Sequence, residues 1–170
     1  MGADKAWLRY QDRPQWQVVY QLLETVCERV CVSVRPEQQQ PEEVEILPDT
    51  DQKGPAGGLI SAIRRNPDAA WLVVAVDMPR VTEAVLLRLV SERAATLAAT
   101  AFMAADGLPE PLLTIFEPSG FSLLLDFYDQ NQLSLRKFLL KTEVRLVTPA
   151  ASGELMSVDT PAQFRQLTGK

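Results

Sequence analysis

Apolar residues recur along the chain at two spacings. Between residues 15 and 27, Val18, Val19, Leu22, Leu23 and Val26 fall on one helical face, and between 83 and 95 Val85, Leu86, Leu89 and Val90 do the same. Both segments predict amphipathic helices lying on a sheet. Short β-branched or unbroken apolar runs lie around them, at Arg29 to Val34, Val44 to Leu47, Trp71 to Val76, Leu97 to Ala104, Leu112 to Phe116 and Val144 to Val147. These predict strands. Trp-Leu-Val-Val-Ala-Val has no polar alternation, which predicts a central strand covered on both faces.

Proline and glycine punctuate the remainder. Pro48 to Gly58 is the longest loop signal, and it is followed by a short predicted helix from Leu59 to Arg65 that Asn66-Pro67-Asp68 ends. Arg35 to Glu43, rich in Pro, Gln and Glu, reads as a solvated connection. Thr160-Pro161-Ala162-Gln163 sets out a capping box and predicts a C-terminal helix from Pro161. Strands alternating with helices over 170 residues predict one domain, an open and mostly parallel α/β sheet sandwiched by helices. Ligands of such sheets bind beyond the carboxyl ends of the strands. That directs attention to Asp49 through Gly58, to Asp77-Met78-Pro79, and to Ser157 through Thr160.

Composition narrows the chemistry. The chain has no histidine, so Ser-His-Asp and Cys-His nucleophile arrangements and His-based zinc sites are excluded. Carboxylates, lysines, backbone donors or an oxygen-bound metal remain. Cys27 and Cys31 lie four apart with no second pair, which fits buried thiols in a reducing cytoplasm better than a zinc ribbon or a Cys-x-x-Cys motif. A net charge of −5 gives no general attraction to nucleic acid. No apolar run approaches the about 20 residues of a membrane span. The first residues, Met-Gly-Ala-Asp-Lys-Ala-Trp, lack the apolar stretch of a signal peptide, so neither membrane insertion nor export is expected.

Several residues are candidates for chemistry, each with a plainer role open beside it. Asp77, after the most apolar strand, is placed to ligate Mg2+ or to cap its own turn. Gly54-Pro55-Ala56-Gly57-Gly58, ahead of a helix, admits a close ligand or forms a simple turn, and it matches neither common phosphate-loop pattern. Lys5, five residues from the start, by itself reads as one more solvated lysine on a frayed terminus. Arg136, Lys137 and Lys141 meet an anion or form a solvated face. Asp159 reaches a metal or supports the dipole of the last helix.

Five segments in order resemble the molybdenum cofactor guanylyltransferases: Met1-Gly2-Ala3-Asp4-Lys5-Ala6, Pro48-Asp49-Thr50 leading to Gly54 through Leu59, Val76-Asp77-Met78-Pro79, Glu110-Pro111-Leu112, and Ser157-Val158-Asp159-Thr160-Pro161. The resemblance runs through the whole chain. It implies a Rossmann-like nucleotidyltransferase fold and transfer of GMP from GTP to molybdopterin with release of pyrophosphate. It also implies roles for residues. Lys5 would neutralise GTP phosphate, Ser33, Asp49, Gly54 and Pro55 would hold the nucleotide, and Asp77 and Asp159 would bind Mg2+. Lys5 and Asp77 would be the catalytic pair, and molybdoenzymes would receive the product. The family pattern carries a strand and a Leu-Ala-Gly-Gly loop ahead of the first motif. The expectation is therefore that Met1 is an internal methionine, and that the chain lacks an interior strand and its phosphate loop. Asp159 stands where the family usually has Asn. Two further readings are a non-catalytic relative that binds a partner, and a nucleotidyltransferase of the same fold that uses CTP or a sugar phosphate.

Overall fold

A computed structural model describes the chain apart from residues 1–4, 11, 50, 52, 152, 159, 169 and 170. A 3-10 turn at Lys5–Trp7 precedes α1 (Gln15–Glu24), β1 (Val32–Val34), β2 (Ile46–Pro48), α2 (Gly54–Arg65), β3 (Trp71–Val74) and α3 (Glu83–Ser91). Then come β4 (Ala99–Met103), β5 (Pro109–Phe116), α4 (Pro118–Asp129), α5 (Leu135–Lys141), β6 (Val144–Val147) and α6 (Pro161–Thr168). The α/β class is the one the hydrophobic pattern predicts.

Helices cover both faces of the strands. On one face Leu59, Ile60 and Ile63 of α2, Phe121 and Leu124 of α4, and Phe138 of α5 pack with Ala99, Ala101 and Phe116 from the strands. On the other, Val85, Leu86 and Leu89 of α3 close over Phe102, Leu113 and Ile115, and Leu22 and Leu23 of α1 pack beside them. Alternate residues of β4 serve opposite layers, as the pleat requires.

Strand pairing divides the sheet in two. β1 and β2 pair in parallel, and the other four strands follow the order β3-β5-β4-β6. β4 and β6 are parallel, while β5 is antiparallel to both β3 and β4. The mixed character comes from the tight turn between β4 and β5. There the Ala104 N–H donates to Leu108 O at 2.8 Å and Gly107 adopts φ +78°, so the chain reverses at once.

Two expectations need correction. Trp71 to Val76, predicted to be central, provides an edge strand, since β3 pairs only with β5 among the described residues and all four of its residues are half-buried. The reason is an interruption between β1 and β3, where a cavity of about 640 Å³ is lined by Leu23, Val26, Cys31, Leu72, Val90 and Ile115, among others. The second correction concerns Gly54 to Gly58. These residues do not precede the helix but form its first turns, with Pro55 in the first turn, where its missing N–H costs nothing. At the C-terminus the capping box forms as predicted: the Gln163 N–H donates to Thr160 Oγ1 at 3.2 Å, and the Thr160 N–H to Gln163 Oε1 at 2.9 Å.

Candidate functional site

Helix α2 has twelve residues, about 18 Å, and packs on both β2 and β3, so it returns the chain from the end of one strand to the start of the next. The carboxyl ends of β2 and β3 therefore share an edge. Asp49 follows β2 directly, and Asp77 lies three residues beyond β3.

Asp77 sits in a turn anchored by the buried side chains of Met78 and Val81. Its carboxylate does not cap that turn. Instead Lys5 Nζ donates to Asp77 Oδ2 at 3.0 Å across 72 residues of sequence, and Oδ1 accepts no hydrogen bond from the described residues. The two side chains are 30% and 22% exposed, sheltered yet open to a ligand. A third segment joins them, because the Val158 N–H donates to the Asp77 carbonyl at 2.8 Å. The ring of Tyr10 lies 4.9 Å from that of Phe164 and ties the N-terminal segment to α6. Lys5, predicted either as a ligand or as a frayed lysine, is thus held. Asp159 lies outside the described residues, directly after the Val158 that docks on Asp77.

A second cluster explains the glycines of α2. A Cβ on Gly57 would lie 2.7 Å from Asp49 Oδ1, and one on Gly58 would lie 2.6 Å from Ser33 Oγ. Only glycine lets the helix approach these two polar side chains so closely. Asp49 is buried, and its N–H donates to Val34 O at 2.8 Å, extending the β1–β2 ladder by one residue. Gly54, at φ +65°, and Pro55 are exposed at the start of the helix. Ser33 and Asp49 are therefore brought together against α2, with Gly54 and Pro55 at its open end.

Behind this loop stands a group that no sequence spacing suggests. The buried Tyr128 of α4 donates its hydroxyl to Asp51 Oδ2 at 2.8 Å, Arg64 reaches the same oxygen at 3.5 Å, and Lys53 Nζ lies 4.9 Å from the Tyr128 ring centre. Burial first, and then the hydrogen bond to Asp51, push the phenol up to about 12. The 77 residues between the partners explain why sequence reasoning missed them.

The basic residues of α5 are not gathered at this edge. Arg136 is engaged by Asp106 at 3.0 Å and Glu110 at 3.4 Å, Lys141 by Gln132 at 3.4 Å, and Lys137 is exposed. Among the described residues no three carboxylates or thiols converge as a metal cage. No helix is long and apolar enough to cross a membrane.

Comparison with known proteins agrees with this geometry. The profile of the family described as MobA-like NTP transferase domain matches residues 1–146. A molybdenum cofactor biosynthesis bifunctional protein of Synechocystis is 29% identical over 98% of this chain, which spans about half (50%) of that relative's length. A probable molybdenum cofactor guanylyltransferase of Bacillus licheniformis is 28% identical over 98% of this chain and 89% of its own. Among solved structures, molybdopterin-guanine dinucleotide biosynthesis protein A from Archaeoglobus fulgidus superposes with a TM-score of 0.79 at 19% identity, covering 99% of this chain and 90% of its own.

Proposed function

Because the chain belongs to the MobA-like NTP transferase family, a family of nucleotidyltransferases, we propose that it transfers GMP from GTP to molybdopterin and releases pyrophosphate. An oxygen of the molybdopterin phosphate attacks the α-phosphorus of GTP. The bond from that phosphorus to the bridging oxygen breaks, and pyrophosphate leaves with the electron pair. The observation that carries this reading is the Lys5–Asp77 pair, 3.0 Å apart at the carboxyl edge of the strands. Such a reaction asks for positioning and charge neutralisation rather than a protein nucleophile, so a chain without histidine can support it.

Lys5 supplies positive charge for the phosphates. Ser33 and Asp49, pressed on Gly57 and Gly58, offer hydrogen-bonding groups for the guanosine beside the exposed Gly54-Pro55 turn. One or two carboxylates suit Mg2+, which commonly completes its shell with water and substrate phosphates. Asp77 would hold it, with Asp159 as a second ligand, and the ion would neutralise charge developing on the phosphates. The product would pass to molybdoenzymes.

The test is pyrophosphate release from GTP in the presence of molybdopterin, with calorimetry against GTP, CTP and UTP. Asp77→Asn is expected to lower turnover by about 100-fold. Its melting temperature should stay close to that of the parent, because part-exposed ion pairs contribute about 0–1 kcal/mol. Binding of CTP in preference to GTP would move the proposal to a cytidylyl donor, and absence of nucleotide binding would end it. A second reading, a non-catalytic relative, is favoured by the interruption between β1 and β3. It requires cooperative unfolding and no pyrophosphate release.

A further inference from the structure

The four-stranded sheet ends at β6. Its one strand partner among the described residues is β4, to which it runs parallel, so its other edge is unpaired. The Ala98 N–H donates to the Glu143 carbonyl at 3.0 Å, which turns the backbone groups of Glu143 and Arg145 toward β4. Those of Val144 and Leu146 face outward, because the direction alternates from residue to residue along a strand. Charged side chains on an edge usually discourage pairing with another chain. On β6 the two charges are of opposite sign, and they select a partner.

Glu143 and Arg145 are two residues apart and so stand on one face of the strand. Arg145 is half exposed and holds Glu92 at 2.7 Å, while the Glu143 carboxylate is exposed and accepts no hydrogen bond from the described residues. The opposite face carries Leu146, 42% exposed. With Leu140 of α5, 55% exposed, it borders a groove of about 530 Å³ that Leu97, Pro109, Leu139 and Val144 also line.

A two-fold axis brings two such edges together antiparallel, and the register decides what meets. With the axis at Val144, the Val144 residues of the two copies form a hydrogen-bonded pair and Thr142 meets Leu146. Glu143 then stands opposite Arg145, in the closer kind of pair, with Cα atoms about 4.5 Å apart. Thr142 also lines the groove, so each Leu146 arrives at the groove of the other copy. An axis at Arg145 sets two guanidinium groups against each other, and an axis at Leu146 leaves Glu143 opposite Pro149. Only the first register matches charge with charge.

We therefore propose that the free edge of β6 is a self-association surface, occupied by the β6 of a second copy paired antiparallel in the register that sets Glu143 against Arg145. The surface lies at the opposite end of the four-stranded sheet from β3, and the inference is independent of the nucleotide chemistry.

The test is sedimentation equilibrium of the 170-residue chain at physiological salt, where repulsion between copies reaches only about 8 Å. Across loadings from about 1 μM to about 1 mM, the mass is expected to rise from the 18.9 kDa of one chain toward twice that value. Hydrogen exchange on the same series should show the Val144 and Leu146 amides slowing at least tenfold with concentration, while those of Arg145 and Val147, which face β4, stay constant. Glu143→Arg alters an exposed side chain that bonds nothing in its own chain, and it should lower the association constant at least tenfold by setting arginine against arginine. Mixing it with Arg145→Glu should restore the dimer, since each variant then meets the opposite charge.

A chain that keeps the one-chain mass at every loading overturns the proposal. So does a dimer that survives Glu143→Arg, or one whose Val144 and Leu146 amides exchange no more slowly than in dilute solution, since either places the contact elsewhere, such as the edge of β3. If Arg145→Glu fails to fold without its Glu92 partner, Glu143→Arg and the exchange rates still decide the question.

Discussion

At the level of single residues, the proposed site depends on glycines that let α2 approach Asp49 after β2 and Ser33 in β1. A methyl group at position 57 would meet Asp49 Oδ1 at 2.7 Å, and Asp49 is buried. Alanine within a helix gains up to about 1 kcal/mol over glycine from propensity, and the crowding opposes that gain. Gly57→Ala is therefore expected to change the unfolding free energy by less than about 1 kcal/mol while weakening GTP binding at least tenfold, read by urea denaturation and calorimetry on the same sample. Loss of stability with unchanged binding would place Asp49 in the scaffold alone. Tyr128 offers a pH test. Its phenol titrates near 12 in the fold against 10.0 ordinarily, so the folded state keeps a proton that the unfolded state has lost between those values. Stability from this residue is complete below about pH 10 and declines as pH rises through about 12. Absorbance at 295 nm should show one of the three tyrosines ionising last, and Tyr128→Phe should remove that step.

Individual elements show what a sequence can and cannot reveal. Helix α4 lies so close to the strands that a Cβ on Gly120 would stand 2.7 Å from the Ala98 Cβ and 2.8 Å from its Cα. Backbone cannot move aside as a side chain can, so Gly120→Ala is expected to cost about 1–3 kcal/mol in a denaturant titration, with the nucleotide site unaffected. The spacing of Val18, Leu22 and Val26 announced α1, and Thr160 with Gln163 announced α6, because these signals are local. The edge position of β3 was not legible, since the apolar run of Trp71 to Val74 records burial but not which neighbour provides it. The pairings of Lys5 with Asp77, of Tyr128 with Asp51, and of Arg93 with Glu117 span 72, 77 and 24 residues. They are products of topology. Asp49, Gly54 and Asp77 drew attention by their places after strands, the family resemblance implied their roles, and the structure supplies the physical reason for Gly57 and Gly58.

Taken whole, the molecule is a pair of sheets bridged by α2, with the proposed nucleotide site at the carboxyl ends of β2 and β3. This arrangement puts the proposed chemistry beside β3, which has one strand partner among the described residues. It also sets how one molecule treats another. Each chain carries a net charge of −5, with a sequence pI near 4.8, and at low ionic strength this keeps copies apart. Added salt shortens the reach of that repulsion to about 8 Å at physiological strength, while attraction between unpaired strand edges, being a matter of hydrogen bonds and apolar contact, persists. Light scattering at neutral pH should therefore rise with sodium chloride, and rise further as the pH approaches 4.8. The half-buried edge of β3 makes the colloidal behaviour of the solution a reading of the fold: whatever closes that edge should also keep concentrated samples clear.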